Sequence, residues 1–247
     1  MKINRCCVIA LACTMAVLFG SVTRAQAADP LILNTEEYPP LNYTDPETGD
    51  FVGLATELVH AMMDRAGIAY EVRNLPWKRA YGQALNQEDT CVFSTARTPE
   101  REALFQWIGP LATSEWAVFA LADSAIEVAD VEGLKDHRVG GYAGDAKSLY
   151  LVDKGIAMDL VYEDPVNIRK LQQGRIDLWA ASSLQAPMVV ETFDVEIRKV
   201  MVFHEIPVAM ACNKAVDPAL VETLRAALAD LQADGTVAEV TARYLGP

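Results

Sequence analysis

The chain has 247 residues, of which 34 are acidic and 21 basic, for a formal net charge of −13. So acidic a body disfavours a nucleic-acid-binding role, because phosphate contacts need clustered Lys and Arg, and it disfavours anionic lipid surfaces. Hydrophobic residues make up 51 % of the chain, enough for one large domain or two small lobes.

The stretch 1–27 reads as a secretory signal, with Lys2 and Arg5 as the charged start, an apolar run from Val8 to Phe19, and Ala25-Gln26-Ala27 as the cleavage site. The apolar run falls short of the roughly 20 residues that span a bilayer. Cys13 lies in the middle of that run with a cleavage site behind it, which argues against a lipid anchor. The mature protein, from Ala28, is expected to be soluble and exported, to the periplasm in a Gram-negative host. With no later apolar span, it is not expected to be a fused receptor ectodomain. Its remaining cysteines are Cys91 and Cys212. The residues alone leave two readings open, one disulfide or two buried thiols packed as small hydrophobes.

Leu31–Leu33 reads as a strand, followed by a proline-stiffened loop from Glu36 to Tyr43 and a turn at Asp45–Asp50. Gly53 opens a helix with Leu54, Leu58 and Met62 on one face, and Gly67 ends it. Ala69–Val72 is a strand, Pro76-Trp77 opens a helix, and Cys91–Phe93 is a strand. In the next helix Thr98 is the expected N-cap, with Pro99 at its first position. Beyond Ala117–Leu121 a second series begins. It has strands at Arg138–Gly141, Leu160–Tyr162, Ile176–Ala180 and Ile197–Val202 and helices at Ala146–Val152 and from Asp164, with another expected from Ser182/Ser183. Pro218–Ala233 and Val237–Tyr244 close the chain as helices. Strand–helix alternation of this kind predicts an α/β fold with parallel sheets covered by helices on both faces.

Arg101 stands out. It falls in the first turn of a helix, where a cation meets the positive end of the dipole. A counter-anion is therefore expected. Glu100 or Glu102 could supply it at the surface, or Arg101 faces a cleft and grips a ligand carboxylate in a bidentate fork. No Gly-rich phosphate loop is present, and His60, His137 and His204 are scattered, so no metal site is expected.

With the sequence TPER-EALFQWIGPL from Thr98, the chain resembles the extracellular solute-binding proteins of family 3, the amino-acid-type receptors of bacterial ABC importers. The same resemblance runs through Tyr38-x-Pro40-Leu41-x-Tyr43, LPWKRA from Leu75, LQQGRIDLW from Leu171 and LQADGTVAEVTARYL near the end. It implies a two-lobed periplasmic binding protein fold of type II. One lobe spans 28–111 plus 208–247 and the other 112–207, with two hinge crossings near Ala112–Glu115 and Glu205–Pro207, where no strand or helix pattern is evident. The implied topology also brings Cys91 beside Cys212 and favours the disulfide.

The resemblance assigns Arg101 to a ligand carboxylate, Ser94 and Ala96 to supporting contacts, and Tyr38, Tyr43 and Trp77 to the walls. Core packing is the competing role for Trp77. In the second lobe Gly144 and Asp145 lie at a helix N-terminus that forms an anion seat, although Asp145 would compete as the cap. Amino-acid receptors of this family carry an aspartate after the strand matching GRIDLW. Here Ala181-Ser182 stands in its place, so either Glu37, Glu115 or Asp145 supplies the charge or the ligand is not an α-amino acid. Lys78, Arg79, Trp116 and Trp179 are further candidates for the cleft. The implied partners are a small carboxylate-bearing solute and an inner-membrane ABC permease, with no cofactor and a monomeric state. Two alternatives remain. One is a cyclohexadienyl dehydratase-like enzyme with Glu37 or Glu115 as its acid, and the other is an accessory or sensory ligand-binding protein.

Overall fold

A computed structural model describes residues 30–246; the secretory-signal reading of 1–27 lies outside the described residues. Strands β1 (Leu31–Thr35), β4 (Tyr70–Asn74) and β5 (Thr90–Ala96) pair in parallel, and β2 (Tyr43–Thr44) and β3 (Phe51–Val52) form a small hairpin. Between them run α1 (Leu54–Ala66) and α2 (Trp77–Asn86). Gly67 takes the left-handed conformation at φ 66° and closes α1, a position that favours glycine. The second series contains β7 (Val139–Tyr142), β8 (Met158–Val161) and β9 (Leu178–Ser182), also parallel, with α4 (Ala146–Asp153), α5 (Asp164–Gln172) and α6 (Ala186–Glu191). Helices α7 (Pro218–Ala233) and α8 (Thr236–Leu245) return to the first lobe.

Two antiparallel strands of 16 residues each, β6 (Gln106–Leu121) and β10 (Ile197–Cys212), join these halves into one sheet of order β4-β1-β5-β10-β6-β9-β7-β8. The expected crossings at Ala112–Glu115 and Glu205–Pro207 are thus paired strand rather than irregular chain. The pattern was hidden because the inward positions include Ser114, a polar residue that is nonetheless buried. Two further expectations need correcting. Ser182 ends a strand instead of starting a helix, which begins at Ala186. The helix at Arg101, α3 (Pro99–Glu102), is one turn long, and Thr98 makes no side-chain capping bond.

Period-2 alternation places the cores. In the second lobe Ala117, Phe119, Trp179 and Ala181 pack on one face with Ile168 of α5, while Val118, Ala120, Leu178 and Ala180 pack on the other with Leu151 of α4. In the first lobe Leu33, Phe93 and Met210 meet Leu58 of α1 and Leu224 and Leu228 of α7. The opposite face carries Val92, Ala209 and Ala211 against Trp77 and Ala80 of α2. Each fully buried Leu or Phe contributes about 1.5–3 kcal/mol. A disulfide joins Cys91 to Cys212, which face each other across β5 and β10. Among the described residues no helix is long and apolar enough to cross a membrane.

Candidate functional site

The carboxyl ends of the parallel strands in both lobes point at one crevice, where open α/β sheets place their ligands. Residues at the ends of β1, β5 and β7, or just after them, line a cavity of about 30 Å³ there. Glu36, Tyr38, Trp77, Ser94, Ala96 and Arg101 come from the first lobe; Trp116, Asp145, Ala146 and Lys147 come from the second; Ser114 and Val208 lie on the connecting strands. The lobes are shut on one another. Trp77 Nε1 donates to the Gly144 carbonyl at 3.2 Å, and the Tyr142 hydroxyl lies 3.5 Å from Glu36 Oε2. So small a cavity has room for water, not for an amino-acid-sized solute. Arg101, Trp116 and Ala146 also line a neighbouring cavity of about 410 Å³, with Leu149, Tyr150 and His204.

Arg101 is 8 % exposed. Its guanidinium lies over the rings of Trp77 and Tyr81, at 5.4 and 4.9 Å from their centroids, and Nη1 reaches the Ala96 carbonyl only at 3.4 Å. The nearby Glu102 is taken by Arg97 at 2.6 Å. Arg101 has no carboxylate partner among the described residues. Stacking on two aromatic faces offsets part of its desolvation, but a buried cation with no anion is costly. Neither Glu100 nor Glu102 forms an ion pair with Arg101, and Arg101 lines the cavity.

Ser94 has a left-handed backbone (φ 59°), unusual for a residue with a side chain, and its hydroxyl is hydrogen-bonded to Asn42 Oδ1. That bond ties the Tyr38 loop to the end of β5. Such local strain persists only where the surroundings impose it. Across the cleft, Asp145 caps α4 by accepting from the Lys147 backbone N–H at 2.9 Å, and its other oxygen accepts from Lys147 Nζ at 2.7 Å. Burial would lower the Lys147 pKa, but Asp145, Tyr38 and Asp164 together hold it above the ordinary lysine value. Burial pushes the Glu36 carboxyl up to about 8, with the Asp145 charge adding to the effect and Lys147 countering it. It also pushes the Tyr38 phenol, hydrogen-bonded to Ser182, up to about 12. Near neutral pH the wall thus presents a neutral acid at Glu36, one internally paired cation at Lys147, and one unpaired cation at Arg101. That balance suits an anion.

The Bacterial extracellular solute-binding proteins, family 3, match residues 31–247. The chain belongs to that family. A search of curated proteins finds no match for this solute-binding protein. Among solved structures it is similar to a histidine kinase sensor domain related to periplasmic binding proteins, with TM-score 0.81 and 19 % identity over 89 % of this chain and 97 % of that one. It is also similar to the arginine-, lysine-, histidine-binding protein ArtJ from Geobacillus stearothermophilus, with TM-score 0.78 and 18 % identity over 88 % of this chain and 96 % of the other. A third is the substrate binding protein of an amino acid ABC transporter, with TM-score 0.76 and 17 % identity over 88 % and 99 %. These likenesses establish the two-lobed fold.

Within the solute-binding protein, Arg101, Ser94, Ala96, Tyr38, Trp77 and Asp145 are brought to one cavity, and Gly144 touches it through Trp77. Trp77 both packs in a core and faces the cavity. Tyr43 is not brought there, because it pairs with Val52 in the hairpin. Ser182 is fully buried, with its hydroxyl 2.7 Å from that of Ser114 and accepting from the Leu184 N–H. At the N-terminus of α4, Asp145 itself caps the Lys147 N–H, as the competing cap role expected. Trp179 lies in the second core, donating to Asp164 at 3.1 Å. Lys78 and Arg79 are exposed, and Lys78 sits over the Tyr162 ring. Glu37 accepts from Thr44, and Glu115 from Lys199 and Ser183, so neither carboxylate faces the cavity. Glu36, Lys147, Ser114 and Val208 are cavity residues that sequence reasoning missed. The available signal for Glu36 was its position directly after a parallel strand. Among the described residues no cluster suits a metal ion.

Proposed function

We propose that the protein is a periplasmic solute-binding protein that captures a small carboxylate-bearing solute, an amino acid or related organic acid, between its lobes and delivers it to an ABC importer. The observation that carries this reading is Arg101, buried in the interlobe crevice with two aromatic faces against it and no carboxylate partner among the described residues. The acid supplies the missing anion in a bidentate fork. The lobes, 28–111 with 208–247 and 112–207, hinge where β6 and β10 cross between them, and the solute selects the closed form. In this account the protein is exported by its 1–27 signal, acts as a monomer and performs no catalysis. For the dehydratase-like alternative, Glu37 and Glu115 hold other partners away from the cavity, and the carboxyl that lines it is Glu36.

A thermal-shift panel of amino acids, dicarboxylates and aromatic acids on the mature protein tests the reading. At one hundred times its Kd the correct acid is expected to stabilise the protein by about 2.7 kcal/mol. A panel in which amines or neutral sugars stabilise and no acid does would refute it.

A further inference from the structure

Lys147 has a side chain only 1 % exposed, yet its residue belongs to the first turn of α4, where a lysine would ordinarily extend into water. It folds back instead toward the helix start, against the positive end of the dipole. Nζ lies 2.7 Å from Asp145 Oδ2 in the second lobe and 5.7 Å from the centre of the Tyr38 ring in the first. Glu36 and Arg101 line the same cavity. One carboxylate and one aromatic face, contributed by opposing lobes, are the partners by which a cleft would hold the cationic group of a solute. Here that place is filled from within the chain.

We propose that Lys147 is a built-in cation occupying the cation subsite of the cleft, and that it restricts the protein to acids lacking an ammonium or guanidinium group. The inference rests on the reading of Arg101 as the carboxylate seat. A solute bearing both a carboxylate and a cation would have to displace the Lys147–Asp145 pair. An acid without the cation leaves that pair intact and answers Arg101 alone. Ser182 fits the same scheme, because a serine hydroxyl already bonded to Ser114 offers no charge to a ligand ammonium.

Calorimetry and thermal shift on the mature protein provide the test, with L-arginine, L-lysine and n-butylamine as probes. Wild type is expected to respond to none of them. Lys147→Ala is expected to be stabilised saturably by n-butylamine, which restores the missing ammonium, and to gain about tenfold or more in affinity for L-arginine. Submillimolar binding of arginine or lysine to wild type would overturn the inference, as would a folded Lys147→Ala that answers neither amine nor arginine. If Lys147→Ala does not fold, the wild-type titration decides alone, absence of binding supporting the inference and submillimolar binding overturning it. Amine rescue needs no carboxylate seat. Rescue without any acid binding would therefore remove the Arg101 reading and leave the cation subsite standing, while acid binding without rescue would remove the subsite alone.

Discussion

Arg101→Ala is expected to abolish the stabilisation that the cognate acid confers, weakening its affinity by about 2–5 kcal/mol, the cost of removing one partner of a desolvated charge pair. The solute-free protein should change far less. The substitution forfeits stacking on Trp77 and Tyr81 but also removes a buried cation that has no carboxylate partner among the described residues, and these effects oppose each other. Arg101→Lys keeps the charge and loses the planar fork, so an intermediate affinity is expected. Isothermal titration of wild type and both variants checks the series. An unchanged affinity in Arg101→Ala would remove this residue from the site.

The second large effect is a pH dependence centred on Glu36. Burial raises its folded-state pKa from the ordinary 4.5 to about 8. The folded protein therefore holds a proton that the unfolded chain has already released. This contribution to stability is fully present below about pH 4.5 and is lost as pH rises through 8. Across that window wild type should lose about 2–4 kcal/mol relative to Glu36→Gln, whose neutral amide cannot ionise. Above pH 8 an ionised Glu36 also faces the bound acid across the same cavity, so affinity for the acid should fall in wild type and hold in Glu36→Gln. Denaturant melts of both proteins from pH 5 to 9 measure the difference, and parallel curves would show that Glu36 titrates as an ordinary carboxyl.

The architecture was legible wherever local chemistry and packing agree. Gly53 and Gly67 bracket α1, the leucine stripe of α7 is copied directly into the first core, and the strand–helix alternation yields parallel pairing in each lobe. Arg101 was legible because a cation in the first turn of a helix raises a local question that only an anion answers. The connecting strands were not legible as strands. Their buried positions at Ser114 and Ile206 sit among Thr113, Glu205 and Pro207, and pairing between the two strands, not apolar alternation, fixes their conformation. Glu36 and Glu37 are neighbours just past the end of β1, yet Glu36 lines the cavity while Glu37 accepts from Thr44. Which of them faces the crevice depends on how β1 enters the sheet, and no property of two adjacent glutamates reveals it. Lys147 was invisible for a related reason. Its burial arises from a bond to Asp145 two residues earlier and from Tyr38 in the other lobe, a contact that exists only once the lobes meet.

A crystal structure of the mature protein with the acid found by the thermal-shift panel tests the central claim most directly. The account predicts one carboxylate with its two oxygens within hydrogen-bond distance of the Arg101 guanidinium, enclosed by Tyr38 and Trp77 and by the second lobe. An acid bound elsewhere on the surface, with the Arg101 fork left without an anion, would contradict it.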